Sequence, residues 1–255
     1  MTRTAPQAAE EQATEEAAVR DIAVRLSPAQ LTELSHNLRG PLTTILGYAE
    51  MLADELTSAA EVPEAQVRMI ESIQRNAVRL ARLLDNLGTL ADLRLSPVPR
   101  SWESIDVAAM LHELPAELSI ERGETGVLLA VLPTGRPTVL GDVRRLRQAV
   151  RELVRNAMVA SGAGQTVMIS AALVAAEPLV TIRVEDCGHG IPADELPAML
   201  EPFTRTHLAR ERQQPGVGLG LAVADGLIRA HGGRLELTSI AGQGSRAVIT
   251  LPALT

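Results

Sequence analysis

A change of apolar rhythm near residue 95 constrains this chain more than any other feature. Upstream of it, Leu31, Leu34, Leu38, Leu42, Ile45, Ala49, Leu52 and Leu56 recur at three- and four-residue steps, the spacing of one face of an α-helix. Ser27 is an N-cap candidate, and Pro28 suits the first helical position because its missing N–H is an orphan there anyway. Residues 57–63 read as a turn. A second helix over 64–93 carries Val67, Ile70, Ile73, Ala77, Leu80, Leu84 and Leu87 on its buried side. Two antiparallel helices leave one apolar seam open, and a second copy of the hairpin closes it as a dimeric four-helix bundle.

Leu95-Ser96-Pro97-Val98-Pro99 then breaks the helix and marks a linker over 96–100. Beyond it the pattern becomes α/β. Residues 106–119 read as a helix, and 127–132 and 138–140 as short strands. Asp142 caps a longer helix reaching about residue 161. Residues 166–174 and 179–185 alternate like two strands of a hairpin. A helix over 218–231 precedes closing strands at 234–239 and 245–251. The expected organisation is therefore a tail or signalling helix over 1–26, a helical hairpin over 27–95, the linker, and an α/β domain over 101–255. The tail is rich in Ala, Glu and Gln, a composition that reads as disordered or as a frayed helix.

Composition narrows the function classes. With one Trp, one Tyr and one Phe in 255 residues, the core must be aliphatic. A net charge of −7 argues against non-specific nucleic-acid binding. The single cysteine, Cys187, excludes an internal disulfide framework and fits a reducing compartment. No apolar run approaches the ~20 residues that span a bilayer. The N-terminus has no signal-peptide pattern. The chain reads as cytoplasmic, either by itself or as the cytosolic piece of something longer.

Three groups of residues carry chemistry. The segment from Val180 to Asp186 is a strand ending in a carboxylate, followed by Gly188 and Gly190, which let the backbone turn tightly against a ligand. An aspartate there can accept a hydrogen bond from an exocyclic amine such as that of adenine. Alone, the same residues make an ordinary Asp-x-Gly turn. Gly216-Val217-Gly218-Leu219-Gly220-Leu221 opens a helix whose first N–H groups can bind phosphate oxygens. Alone, a glycine-rich stretch is a weak signal. Asn156, on the helix after Asp142, can offer a neutral oxygen to Mg²⁺ beside a triphosphate. Glu152, one turn earlier on the same face, can polarise a proton or contact the metal's water shell, or simply pair with a nearby arginine.

Taken in order, these segments resemble the transmitter core of a bacterial sensor histidine kinase over residues 28–253. Glu152-Leu153-Val154-Arg155-Asn156-Ala157 resembles the N box, Asp186-Cys187-Gly188-His189-Gly190-Ile191-Pro192 the first glycine box, Glu201-Pro202-Phe203 the F box, and Gly216 to Leu221 the second glycine box. His231-Gly232-Gly233 and Gly242-Gln243-Gly244-Ser245 are similar to the closing pattern. Arg79-Leu80 through Asp92-Leu93 resemble the second dimerisation helix. Ser35, His36, Arg39, Pro41 and Leu42, followed by Gly47 to Leu52, resemble the His box.

The resemblance implies a helical hairpin that dimerises into a four-helix bundle, followed by an α/β sandwich of the Bergerat type in the GHKL superfamily. It implies ATP on Asn156, Asp186, Gly188, Gly190, Phe203, Gly216, Gly218, Gly220 and Leu221, Mg²⁺ on Asn156 and Glu152, and a mobile lid over residues 203–215. Arg205, His207, Arg210 and Arg212 in that lid are candidate phosphate contacts, or a solvated basic loop. His36 is then the phospho-acceptor, and an aspartate on a response-regulator receiver domain the destination.

Two positions depart from the family's pattern. Asn37 stands where an acid usually follows the histidine, and an amide cannot act as a base, though it can orient an imidazole that is already neutral. Glu152 is a candidate substitute base, so His36, Asn37 and Glu152 form the candidate catalytic set. Gly40 stands where Thr or Asn positions water for dephosphorylating the partner. Pro41 removes a helical hydrogen bond to Asn37, and Gly40 weakens the helix by roughly 1 kcal/mol against Ala, so the turn after His36 reads as a bending point. A catalytically impaired phosphotransfer or scaffold dimer is the alternative. An ATPase or serine kinase of the same nucleotide fold is disfavoured by the His-box hairpin.

Overall fold

The computed structural model describes residues 27–58, 64–95, 101–175, 177–212, 214 and 216–254. The expected tail (1–26) and linker (96–100) lie outside the described residues, as does most of the turn expected at 57–63. The described residues separate into two compact units, one helical and ending at Leu95, one α/β over 101–254.

The helical unit is a hairpin of α1 (Pro28–Ser58) and α2 (Glu64–Leu95). The start of α1 follows from its sequence. Ser27 Oγ accepts from the Gln30 N–H while Gln30 Oε1 accepts from the Ser27 N–H, so two orphan donors are satisfied reciprocally. The helix continues two residues into the expected turn, to Ser58. Leu42, Ala77 and Leu84 form its buried centre with Leu46 and Ala81 against them. Towards the other end of α2, Leu31, Leu87 and Ala91 are buried. Ser35 is buried too; its Oγ donates to the Leu31 carbonyl at 2.8 Å.

Half of the expected stripe is not buried in the single chain. Leu38 (40% exposed), Ile45 (47%) and Leu52 (48%) on α1 face outward, as do Val67, Ile73 and Leu80 on α2. One helix covers only part of an apolar arc this wide, and the remainder is the open seam that the sequence assigns to a second copy. α1 is also a single helix through Gly40 and Pro41 rather than a visible break. Thr43 Oγ1 donates to the Arg39 carbonyl and Thr44 Oγ1 to the Gly40 carbonyl there, the side-chain back-bonding that tends to bend helices.

In the α/β unit, β1 (Glu103–Asp106) pairs antiparallel with β3 (Thr138–Gly141). The main sheet orders its strands β2 (Leu128–Pro133), β4 (Thr166–Leu173), β5 (Leu179–Glu185), β7 (Gly244–Pro252), β6 (Arg234–Ile240). Only the β2–β4 pair is parallel. α3 (Val107–Glu117), α5 (Val143–Ala160) and α7 (Gly220–Ala230) pack against it. Alternate residues of the central strands, Val167, Ile169, Val180, Ile182, Ile249 and Leu251, are buried against Leu146, Val150, Leu153 and Met158 of α5 and Val223 and Ile228 of α7. The core is aliphatic, as the composition requires; Trp102 and Tyr48 are exposed, and Phe203 is half-buried.

Four short elements have no counterpart in the sequence reading: β1, α4 (Ser119–Thr125), a 3-10 turn at Leu196–Ala198 and α6 (His207–Glu211). The helix expected to start at residue 218 begins at Gly220.

Candidate functional site

The site is built on α5. Asp142 caps that helix, its Oδ1 accepting from the N–H groups of Arg144 and Arg145. Asp142's own N–H is taken by His231 Nε2 at 3.0 Å, while His231 Nδ1 donates to the Leu227 carbonyl. The two bonds define a neutral imidazole with the proton on Nδ1, which ties the start of α5 to the end of α7.

Glu152 and Asn156 lie one turn apart on α5. Gly220, the first residue of α7, sits against both. A Cβ at Gly220 would stand 2.8 Å from Glu152 Oε2 and 3.2 Å from Asn156 Nδ2, so only glycine permits the approach. Glu152 is 4% exposed, and its Oε1 pairs with Arg155 Nη1 at 3.2 Å. One oxygen thus takes the arginine while the other faces Gly220. No side chain caps α7. Its first-turn N–H groups therefore have no partner from a capping residue, which suits an anion at a helix N-terminus. Leu221 is half-buried in that first turn.

Asp186 follows β5. Its Oδ1 accepts from the N–H of Gly188 at 2.8 Å and of Ser245 at 3.2 Å. Burial pushes the carboxyl's pKa up, opposed by those two N–H groups and by nearby His189. Gly190 has φ 65°, and a side chain there would collide with the Ile240 carbonyl. The β6–β7 turn supports this loop. Ser239 Oγ accepts from the Ile191 N–H and donates to the Gly244 carbonyl, and the Gly242 N–H donates to the His189 carbonyl at 2.7 Å.

Phe203 has φ 64° and is the one non-glycine residue with positive φ among the described residues. A strained residue of this kind costs about 1–3 kcal/mol and persists only where its surroundings hold it. Its N–H donates to the Gly218 carbonyl at 2.8 Å, which joins the F-box segment to the second glycine box. Gly216, at φ 129°, has nothing within 4 Å of where a side chain would begin. Between these two segments, Thr206 Oγ1 caps α6 by accepting from the Ala209 N–H. Of the lid's candidate phosphate contacts, Arg205 donates to the carbonyls of Ala209 and Gln214, so it braces the lid itself. His207 faces Glu211, with its Nε2 3.2 Å from the carboxylate, and Arg210 and Arg212 are exposed.

The structure therefore brings Glu152, Asn156 and Gly220 together, and separately links Phe203 to Gly218 and Gly188 to Asp186. His36 and Asn37 lie on α1 in the other compact unit. Near them on α1, Arg39 pairs with Asp85 of α2 at 2.7 Å. Sequence reasoning missed His189, Gln214 and Ser239 as parts of the site. The only signal they offered was proximity to the glycine boxes.

The donor set fits a magnesium nucleotide. An amide oxygen and a carboxylate are hard donors, and no cluster of three or more metal-ligating His, Cys, Asp or Glu side chains exists among the described residues. Such a set suits Mg²⁺ carried in on a triphosphate better than a closed protein cage. No described helix is long and apolar enough to cross a membrane.

Residues 29–95 match the His Kinase A (phospho-acceptor) domain. Residues 141–255 match the Histidine kinase-, DNA gyrase B-, and HSP90-like ATPase family. The chain is 30% identical over 222 residues to sensor histidine kinase WalK of Bacillus subtilis, covering 87% of this chain and 36% of that protein. It is 29% identical over 215 residues to phosphate regulon sensor protein PhoR of Pseudomonas aeruginosa, covering 84% and 47%. Among solved structures, full-length ShkA in complex with AMPPNP superposes with a TM-score of 0.67 at 26% identity, over 90% of this chain and 47% of that one. Acinetobacter baumannii histidine kinase AdeS, at 23% identity and a TM-score of 0.58 over 86% of this chain, shares the fold. The chain thus spans less than half the length of the two curated relatives named.

Proposed function

We infer from one premise, that this chain belongs to the histidine kinases as a phospho-acceptor domain joined to a GHKL-type ATPase domain, that it phosphorylates His36 from Mg-ATP and passes the phosphoryl group to an aspartate of a response-regulator receiver domain. The observation that carries the reading is the contact of Gly220 with Glu152 and Asn156 at the uncapped start of α7. Backbone N–H groups at that helix end take the phosphates, and Asn156 with Glu152 would hold Mg²⁺, whose charge offsets that of the triphosphate. Asp186 takes the exocyclic amine of adenine.

His36 then attacks the γ-phosphorus in line. An imidazole nitrogen–phosphorus bond forms, the bond to the bridging oxygen breaks, ADP leaves and the imidazole proton is released. Such a transfer depends on positioning and charge neutralisation more than on covalent help from the protein. Asn37 orients the imidazole without acting as its base. The exposed row of Leu38, Ile45, Leu52, Val67, Ile73 and Leu80 supports a homodimer through the hairpin.

Incubation with γ-labelled Mg-ATP tests the reading. Acid-labile, base-stable label that disappears in both His36→Gln and Asn156→Ala is the expected result. Nucleotide binding without label in the unmodified chain would overturn it in favour of a phosphotransfer or scaffold dimer.

A further inference from the structure

The last carbonyls of an α-helix have no partner within the helix, so something else must satisfy them. At the end of α5, the Ser161 N–H takes the carbonyls of Ala157 and Met158. The Ala160 carbonyl accepts from the His189 N–H at 3.2 Å, and the Val159 carbonyl accepts from the Gln214 side-chain amide at 3.1 Å. The end of α5 therefore holds both the first glycine loop and the far end of the lid.

His189 connects the two. Its Nδ1 lies 2.7 Å from the Gly190 carbonyl, which can only accept, so Nδ1 carries a proton and Nε2 is left for the Gln214 side chain. The Gln214 amide nitrogen is 3.1 Å and its Oε1 3.3 Å from that Nε2, so the side chain meets the ring as donor or as acceptor according to whether Nε2 carries a proton. In either arrangement the Gln214 amide nitrogen also donates to the Val159 carbonyl. The backbone of His189 is fixed independently, by Ala160 on one side and Gly242 on the other. Arg205 extends the hold along the lid by donating to the Gln214 carbonyl and to Ala209.

We propose that Gln214 and His189 form a latch that keeps the end of the lid docked on α5 and slows release of the nucleotide. Gln214 is a positioning residue that acts through the lid. The proposal rests on the nucleotide reading above.

The test is the dissociation rate of a fluorescent ATP analogue chased by excess Mg-ATP, in the full chain, in Gln214→Ala, in His189→Ala and in the double variant. Each single change should raise the rate about three- to tenfold, the range of one or two lost hydrogen bonds, and the double change should add little more. The melting temperature should stay close to that of the unmodified chain. Unchanged rates, or single effects that multiply in the double variant, would overturn the latch.

Amide hydrogen exchange over residues 205–212 without nucleotide separates the two ideas. Faster exchange in Gln214→Ala supports the latch even where the analogue fails to bind the unmodified chain, an outcome that would sink the nucleotide reading and the retention role. Unchanged exchange removes the latch itself.

Discussion

Gly220 places the start of α7 so close to Glu152 that a single added carbon would stand 2.8 Å from the carboxylate Oε2. On the proposed reading, the contact couples the helix end that takes the phosphates to the side chain that would meet the metal or its water shell. It also gives Glu152 two neighbours with different demands, since Arg155 holds Oε1 at 3.2 Å.

Gly220→Ala should therefore act on ligand binding more than on folding. The clash falls on the flexible end of a side chain, so Glu152 can rotate away and the core can stay intact. That rotation moves the carboxylate away from the helix start and crowds Asn156. Mg-ATP affinity should fall by about tenfold or more, the order expected when one or two charge-assisted contacts are lost. Calorimetric titration with Mg-ATP checks the affinity, and a thermal melt of the free chain should move by only a few degrees. A collapse of the melt with binding retained would contradict the argument.

Asp186 carries a pH signature. Burial raises its carboxyl pKa in the folded chain above the ordinary 3.8. A raised pKa means that the folded state favours the proton, so the stability linked to this group is present below 3.8 and is lost as pH rises through the folded value. At pH 7 the charged, half-buried carboxylate is a net cost to folding. Asp186→Asn removes the charge and can still accept from Gly188 and Ser245 through its amide oxygen, so the variant should melt no lower than the parent at pH 7. Its advantage should shrink as pH falls towards the carboxylate range. If Asp186 takes the adenine amine as proposed, nucleotide affinity should fall all the same, because the new NH₂ would meet that amine donor to donor. Melts from pH 7 to pH 4 beside an ATP titration test both halves.

The sequence made the regular parts of this architecture legible for local reasons. Ser27 with Pro28, and Asp142 as the cap of the next long helix, are short-range signals that competition from elsewhere cannot erase. β4 and β5 alternate because one face of each is buried. What stayed hidden is non-local or too short. β1 is four residues whose place depends on β3, about 35 residues away in the chain. The parallel pairing of β2 with β4 rests on a crossover that no local pattern encodes. Leu38 and Leu80 match the helical period as well as Leu42 and Leu84 do, yet only the latter pair is buried in the hairpin; periodicity gives a face and not its width. At the site, residue types and spacing marked Glu152, Asn156 and Gly220. They could not mark Gln214, whose role depends on an imidazole 25 positions earlier and on an orphan carbonyl at a helix end.

The hairpin narrows beside His36. A side chain at Gly88 would begin 3.3 Å from Ser35 Cβ, one residue before His36, so α1 and α2 approach there as closely as small residues allow. Gly88→Leu should force them apart and cost about 1–3 kcal/mol, the usual penalty for overpacking a fitted contact. Gly88→Ala should be near neutral, because relief of the helical glycine offsets a contact that needs only a few tenths of an ångström. Chemical denaturation of the two variants, followed by circular dichroism, should rank them in that order. A Gly88→Leu hairpin as stable as the parent would mean that the close approach is dispensable.

Gly40 and Pro41 offer a sharper separation of stability from function. Gly40 is exposed, and a side chain there would meet nothing within 4 Å, so Gly40→Ala should stabilise α1 by roughly 1 kcal/mol through helix propensity alone. Pro41→Ala should restore the N–H that the Asn37 carbonyl lacks and straighten the same turn. If bending after His36 is what lets the imidazole meet the nucleotide, both variants should gain stability and lose autokinase rate, and the combined variant should lose most. Initial rates of His36 labelling from γ-labelled Mg-ATP, measured beside thermal melts, decide the point. Greater stability with unchanged labelling rates in both variants would show that the helix need not bend. The soft turn would then owe its presence to something other than phosphoryl transfer.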